Sequence, residues 1–545
     1  MDRGGGTRNA WWQTRWFVVA MALAAAIPLI WPEIPPLVDL PGHMARYRVS
    51  LVYDDQPWIR QWYDFRWSLI GNLGIDLLVI PLSHLFGLEL AVKLIVMSIP
   101  VLTVTGLLWI AREVHGRIPA TALFALPLAY NYAFNFGFVN FLLSMALALN
   151  LFALWLRLAR LGRFDLRTVL FVPLSSALWL CHTFGWGVLG VLAFSAEMIR
   201  QHDLRKDGRG GHWIESWVRA GLGCLPLALP MVFMIFWRSG DHVTGKTTDW
   251  FNWWAKYNWV KMILRDRWKV WDIASLLVLF AILVKGVRDR RITYSRNLVL
   301  SALFLLAVYL LLPRIVFGSA YADMRLAPFV LAIALIALRP RPGITPRSAA
   351  TLAMLGLVFY GARLAGTTWS YWLYDREYDR VLTALPHVPP RARVVSFVGR
   401  RCGDAWAYTR LEHIPAMMLV RRMAYTNDQW SMAGAQQLTV RYRAARGFAH
   451  DPSEVVTDRW CRGQFWRPLT YSLAAFPRDA FDYVWLLNPP PYDPSLIKGL
   501  TPVWRSGRDV LLRVDDRTQP PPPPLPDYLL RIIAQQRLKG VSSAR

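Results

Sequence analysis

Eleven apolar runs, separated by short basic connections, set the limits on what this chain can fold into. They fall near 16–31, 88–111, 119–134, 137–158, 167–183, 184–199, 217–237, 273–287, 297–313, 323–338 and 349–372. A helix of about 20 apolar residues crosses the hydrocarbon layer. A soluble chain of 545 residues would instead spread its 54% hydrophobic content in amphipathic patterns. The expected fold is mainly α, a polytopic helical membrane protein of about 11 spans.

The formal net charge of +26 would suggest nucleic acid as a partner of a soluble protein. Its placement argues for membrane lipid and against nucleic acid. Basic residues crowd the short connections 112–117, 157–167, 200–209, 285–296 and 339–347, which is the bias of cytoplasmic loops. With the N-terminus cytoplasmic, 32–87, 238–272, 314–322 and everything after 372 lie outside. No small-residue cleavage site follows at Trp31-Pro32, so the first run reads as an uncleaved span. The stretch 72–86 is apolar but short and split by Pro81, and reads as an interfacial or half-inserted helix.

Residues 1–374 thus form the membrane domain, with outer loops 32–87 and 238–272. Residues 375–518 change texture, and strand-like runs at 393–398, 483–488 and 510–514 indicate a small α/β or α+β soluble domain. A stiff proline connector (520–524) and a short helical tail (528–539) complete 519–545. Cys402 and Cys461 share the soluble domain and would pair in an oxidising compartment, although sequence leaves the pairing open. Cys181 and Cys224 read as core thiols.

Chemistry concentrates just past the first apolar run, in Asp39-Leu-Pro-Gly-His43-Met-Ala-Arg46-Tyr-Arg48. If 42–52 is helical, His43 and Arg46 share a face, Pro41 sits in the first turn and Asp39 near the N-cap. Asp39 is then a helix cap, a reactive carboxylate, or both. The adjacent acids Asp54 and Asp55 lie further along the same loop. In the second outer loop, His242 and Lys246 precede a cluster of Trp and Tyr, which suits a phosphate-gripping surface or an interfacial helix. A third cluster is Tyr321-Ala-Asp323-Met-Arg325. Its acid and base are two apart and do not face each other on a helix, leaving Arg325 for an outside partner or for a salt bridge elsewhere. His182 ends the fifth run on the outer side. Asn131, Asn135 and Asn140 read first as interhelical hydrogen-bonding groups, and Glu197 and Glu89 as interfacial anchors. The chain reads as carrying no Gly-rich nucleotide loop, no HExxH and no Gly-x-Ser-x-Gly, which argues against ATP-driven transport and against serine or zinc hydrolysis.

The layout resembles the GT-C superfamily of integral membrane glycosyltransferases: a first span, an outer loop opening on an acid, many further spans and a soluble outer domain. The strings Asp39-Leu-Pro-Gly-His43-Met-Ala-Arg46 and Ala322-Asp323-Met-Arg325-Leu-Ala-Pro are similar to segments of bacterial membrane proteins of that broad type. The resemblance implies transfer of a sugar from a polyprenyl-phosphate donor to a glycan or glycolipid acceptor on the periplasmic face of a bacterial inner membrane. It implies Asp39 as general base. Arg325 leads the phosphate-binding candidates, ahead of Arg46, His43, Lys246, His242 and His182. Many such enzymes place two acids together in this loop, whereas here Asp39 is followed by Leu, Pro and Gly, so either Asp54-Asp55 supplies a second acid or the site works with one carboxylate. The residues assign no cofactor, because one carboxylate and a histidine make a thin oxygen set for magnesium or manganese. The competing readings are a lipid-linked-glycan transporter or flippase, a glycan polymerase or ligase, and a non-catalytic envelope assembly protein.

Overall fold

The computed structural model describes residues 10–206, 212–239, 246–316, 319–341, 344–403, 405–431, 436–461, 464 and 466–521. The connector and tail beyond 521, and His242, lie outside them. The chain divides into two compact units: residues 1–380 with 405–414 and 431–439, and residues 381–404 with 415–430 and 440–545. No chain break marks residue 375, because one helix runs continuously from Pro346 to Leu382.

The first unit is helical. Its elements are α1 (Arg15–Ala24), α2 (Leu40–Val52), α3 (Gly74–Phe86), α4 (Leu88–His115), α5 (Tyr132–Phe136), α6 (Val139–Arg160), α7 (Phe164–Cys181), α8 (Thr183–Lys206), α9 (Trp213–Gly223), α10 (Leu229–Ser239), α11 (Trp253–Lys261), α12 (Lys269–Arg288), α13 (Arg296–Leu311), α14 (Ala322–Ile336) and α15 (Pro346–Leu382). Every predicted apolar run is helical, and the chain is a multi-pass membrane protein. The runs are not eleven full-length helices, however. Among the described residues, α4, α6, α7, α12 and α15 are long and apolar enough to span, and α9 with Leu225–Phe236, bent by 41°, is either a sixth, broken span or a re-entrant loop. Proline accounts for two of the interruptions. Pro226 sits in the 3-10 turn at that bend, and Pro127 lies inside the 3-10 stretch Ala120–Tyr130 that replaces an α-helix at 119–134. At 13 residues, α3 is about 20 Å long, too short to cross.

Close helix approach fixes the frame around the N-terminal end of α6. A Cβ on Gly185 would meet the Ser144 carbonyl at 2.6 Å, so α8 lies against α6 at backbone distance. Glu197 is buried rather than interfacial, held by Arg167 at 2.7 Å and Arg200 at 2.6 Å. A carboxylate at that depth requires such partners.

The second unit is a six-stranded mixed sheet. Its strands are β1 (Val394–Gly399), β2 (Val455–Thr457), β3 (Arg467–Pro468), β4 (Tyr483–Leu487), β5 (Leu500–Ser506) and β6 (Asp509–Val514), in the order β3-β2-β1-β4-β6-β5. β1 and β4 are parallel, with Val395 opposite Val484 and Phe397 opposite Leu486. β6 runs antiparallel to both β4 and β5. All of β1 and β4 is buried, as continuous apolar strands flanked on both sides should be. Cys402 and Cys461 are disulfide-bonded with Cα atoms 5.5 Å apart.

Candidate active site

Asp39 is held by its backbone, not by a cap. The Val38 and Asp39 amides donate to the carbonyls of Asn135 and Phe136 at 3.2 and 2.9 Å, in the turn between α5 and α6. Gly137 closes that turn in the left-handed region (φ 101°), and a Cβ there would sit 2.8 Å from the Asp39 nitrogen. Only glycine satisfies both demands. The helix expected over 42–52 is present as α2, with Pro41 in its first turn and Asp39 at the N-cap position. The Asp39 side chain makes no capping bond, so capping is not what holds this carboxylate.

The structure gathers three of the candidate residues, Arg325, His43 and His182, around Asp39 or its neighbours. Arg325, half-buried on α14, feels the charge of Asp39 and in turn acts on His43 and His182. Among the described residues no carboxylate lies within ion-pair distance of Arg325. Its guanidinium contacts the Ser319 hydroxyl and the Ala320 carbonyl at 3.4 and 3.3 Å and stacks over Phe138 at 4.0 Å. Asp323 turns away, as the spacing of two requires, and pairs with Lys256 at 3.2 Å. Burial, with Arg46, His413 and Arg325 nearby, holds the His43 imidazole well below its ordinary range. His43 is therefore neutral at physiological pH and contributes hydrogen bonding rather than charge. In His182, Nδ1 accepts the Phe184 amide at 3.1 Å, which leaves Nε2 as the donor.

Aromatic rings pack beside Arg325, beginning with Phe138. Phe136 stacks on Phe138 at 4.8 Å and meets Tyr321 and Tyr408 at 5.5 Å each, and Trp259 meets Tyr321 edge-on at 5.6 Å. A carboxylate, a guanidinium and neutral imidazoles with aromatic rings beside them suit a polar, ring-bearing substrate with an anionic group.

Arg46 does not join the cluster as a free cation. It is committed to Asp76 of α3 at 2.9 Å, with both side chains buried, and Asn140 donates to the same carboxylate at 2.9 Å. Arg46→Ala would strand Asp76 in the interior, so the variant is expected to lose about 3–5 kcal/mol of stability. Thermal unfolding in detergent reads this directly, and an unchanged midpoint contradicts it. Asn131, Asn135 and Asn140 are likewise structural. Asn131 caps α5, Asn135 donates to the Arg265 carbonyl and accepts from Tyr371, and Asn140 bridges Asn72 and Asp76.

Asp54 and Asp55 are exposed at the far end of α2, and Asp54 pairs loosely with Arg60 at 3.5 Å. Thirteen helical residues set them about 20 Å from Asp39, so they are not its second acid. In the loop 238–272 Lys246 is exposed. Trp253, Trp254 and Tyr257 also project outward from α11 while Lys256 is buried, the disposition of an interfacial helix. The expectation of no Gly-rich nucleotide loop needs correcting at the level of sequence: the string from Gly240 to Thr247, Gly-Asp-His-Val-Thr-Gly-Lys-Thr, matches that consensus. That motif works between a strand and a helix that starts at its end. Here α10 precedes it, Thr248 bridges to Ile315, and α11 begins only at Trp253. Residues 240–245 lie outside the described residues.

Sequence reasoning missed the segment 405–414, which belongs to the helical unit although it follows α15. The buried Arg410 binds Asp266 and the Pro36 carbonyl and lies over Tyr374 at 4.3 Å. Tyr378 donates to the Arg410 carbonyl at 2.8 Å, Trp406 donates to Asp272 at 2.8 Å, and Arg265 donates to the Trp406 carbonyl at 2.9 Å. His413, 2% exposed, ends the segment with Nε2 3.8 Å from an Asp39 oxygen. No local pattern in 405–414 announces this docking.

No model of a known protein family matches the sequence, and no curated protein matches it. Among solved structures, the chain is similar to ArnT from Cupriavidus metallidurans bound to undecaprenyl phosphate, at 12% identity over 94% of this chain and 100% of that one, with a TM-score of 0.47. It is also similar to ArnT from the same organism in the apo state, at 11% identity over 93% and 98%, with a TM-score of 0.48.

Proposed function

We propose that this chain is an integral membrane glycosyltransferase that moves a sugar from a polyprenyl-phosphate donor to a glycan, lipid or protein acceptor. The observation that carries the reading is that Arg325, with no carboxylate at ion-pair distance among the described residues, lies within electrostatic reach of Asp39 and over the Phe138 ring. Asp39 takes the proton from an acceptor hydroxyl as that oxygen attacks the anomeric carbon. The bond to the phosphate breaks, and Arg325 stabilises the charge that develops on the departing lipid phosphate. Direct displacement inverts the anomeric centre. His43 and His182 supply neutral hydrogen bonds to the sugar or phosphate.

The surrounding helices leave room for lipid. An apolar groove of about 590 Å³ runs between α12, α13 and α14, lined by Ile263, Phe280, Leu306, Val330 and Ala334 among others. The basic connections, read as cytoplasmic loops, and the Cys402–Cys461 bond support a site on the periplasmic side of a bacterial inner membrane. A reporter enzyme fused after residue 380 is then expected to be active only outside, and cytoplasmic activity would reverse the orientation.

Membranes containing the chain, given a polyprenyl-phosphate sugar labelled in the sugar, should pass label to an acceptor and release polyprenyl phosphate. Membranes without it should not. Label that crosses the bilayer still attached to its carrier would favour a flippase instead.

A further inference from the structure

The segment 405–414 places an imidazole against the proposed base. We infer that His413 is a positioning residue for Asp39, donating from Nε2–H toward the carboxylate and holding one of its oxygens in the orientation that accepts the acceptor proton. The inference rests on the glycosyltransferase reading and adds to it a residue supplied from beyond the last membrane-spanning helix.

Three observations support it. First, His413 Nε2 lies 3.8 Å from Asp39 Oδ1, within ion-pair range. Second, His413 is 2% exposed and the Asp39 side chain 11%, so little water competes for the contact and its directionality is strengthened. Third, the segment is anchored far more firmly than a passing loop. Arg410, Trp406 and the Tyr378 hydroxyl tie it to Asp266, Asp272 and α15, all within the helical unit. A histidine at the end of such an anchored segment is held in place, and a carboxylate without a capping bond takes its orientation from side chains around it. No proton is routed through His413: the acceptor proton goes to Asp39, and His413 keeps its own.

The test compares sugar transfer by the full-length wild type with His413→Ala, His413→Gln and His413→Phe, with kcat and donor KM separated and folded protein quantified for each. A lost orienting partner is expected to lower kcat on the order of 10–100-fold. His413→Ala and His413→Phe should both show this with donor KM within about twofold. His413→Gln retains an N–H donor and should recover most of kcat. Equal rates in all four proteins would overturn the inference, as would a loss in His413→Gln as deep as in His413→Phe, which would mark a packing role. A wild type that transfers no sugar defeats the glycosyltransferase reading itself, an outcome distinct from wild-type transfer that His413 does not influence.

Discussion

Asp39→Asn is expected to lower kcat for sugar transfer by about 10²–10⁴-fold. The carboxamide matches the carboxylate in shape and keeps an oxygen lone pair, but it is far too weak a base to take the acceptor proton. The backbone bonds that place residue 39, from Val38 to Asn135 and from Asp39 to Phe136, do not involve the side chain. Folding and donor affinity should therefore survive. The loss should appear in kcat, with donor KM changed little, and the unfolding midpoint should stay near that of the wild type. Full activity in this variant would remove Asp39 from the chemistry.

Arg325→Ala is expected to cost about 10²–10³-fold in kcat and also to weaken donor binding. The guanidinium meets the phosphate both before and during departure, so the loss divides between KM and kcat. No described carboxylate lies within ion-pair distance of Arg325, and no buried acid is left stranded by its removal. The contrast with Arg46 is informative. Arg46→Ala should destabilise the fold through Asp76, whereas Arg325→Ala should spare stability and remove activity. Arg325→Lys keeps the charge but loses the planar fork over Phe138, and should restore only part of the rate. Rates measured across donor concentrations, beside thermal unfolding of each variant, separate these outcomes.

Much of this was legible in the sequence for physical reasons. Apolar runs declare themselves because lipid tolerates little else. Asp39 and Arg325 stood out as charges at membrane exits, and the spacing of two between Asp323 and Arg325 correctly kept them from facing each other. In the second unit β1, β4 and β6 are read from their apolar runs, whereas β5 is not, because it is a partly exposed strand containing Pro502. What stayed hidden depends on contacts between distant residues. The commitment of Arg46 to Asp76 follows from the packing of α2 against α3 and Asn140, which no spacing rule encodes. The return of 405–414 to the helical unit depends on Asp266, Asp272 and Pro36, each far from it in sequence. That placement brings His413 to Asp39, and composition gave no hint of it.

The most direct measurement uses purified protein in sealed proteoliposomes, with polyprenyl-phosphate sugar labelled in both the sugar and the lipid. Wild-type protein should separate the two labels, sugar to acceptor and lipid to free polyprenyl phosphate, at a rate that Asp39→Asn abolishes while still binding the donor. Labels that remain joined in the wild type, or that separate equally fast in Asp39→Asn, would contradict the account.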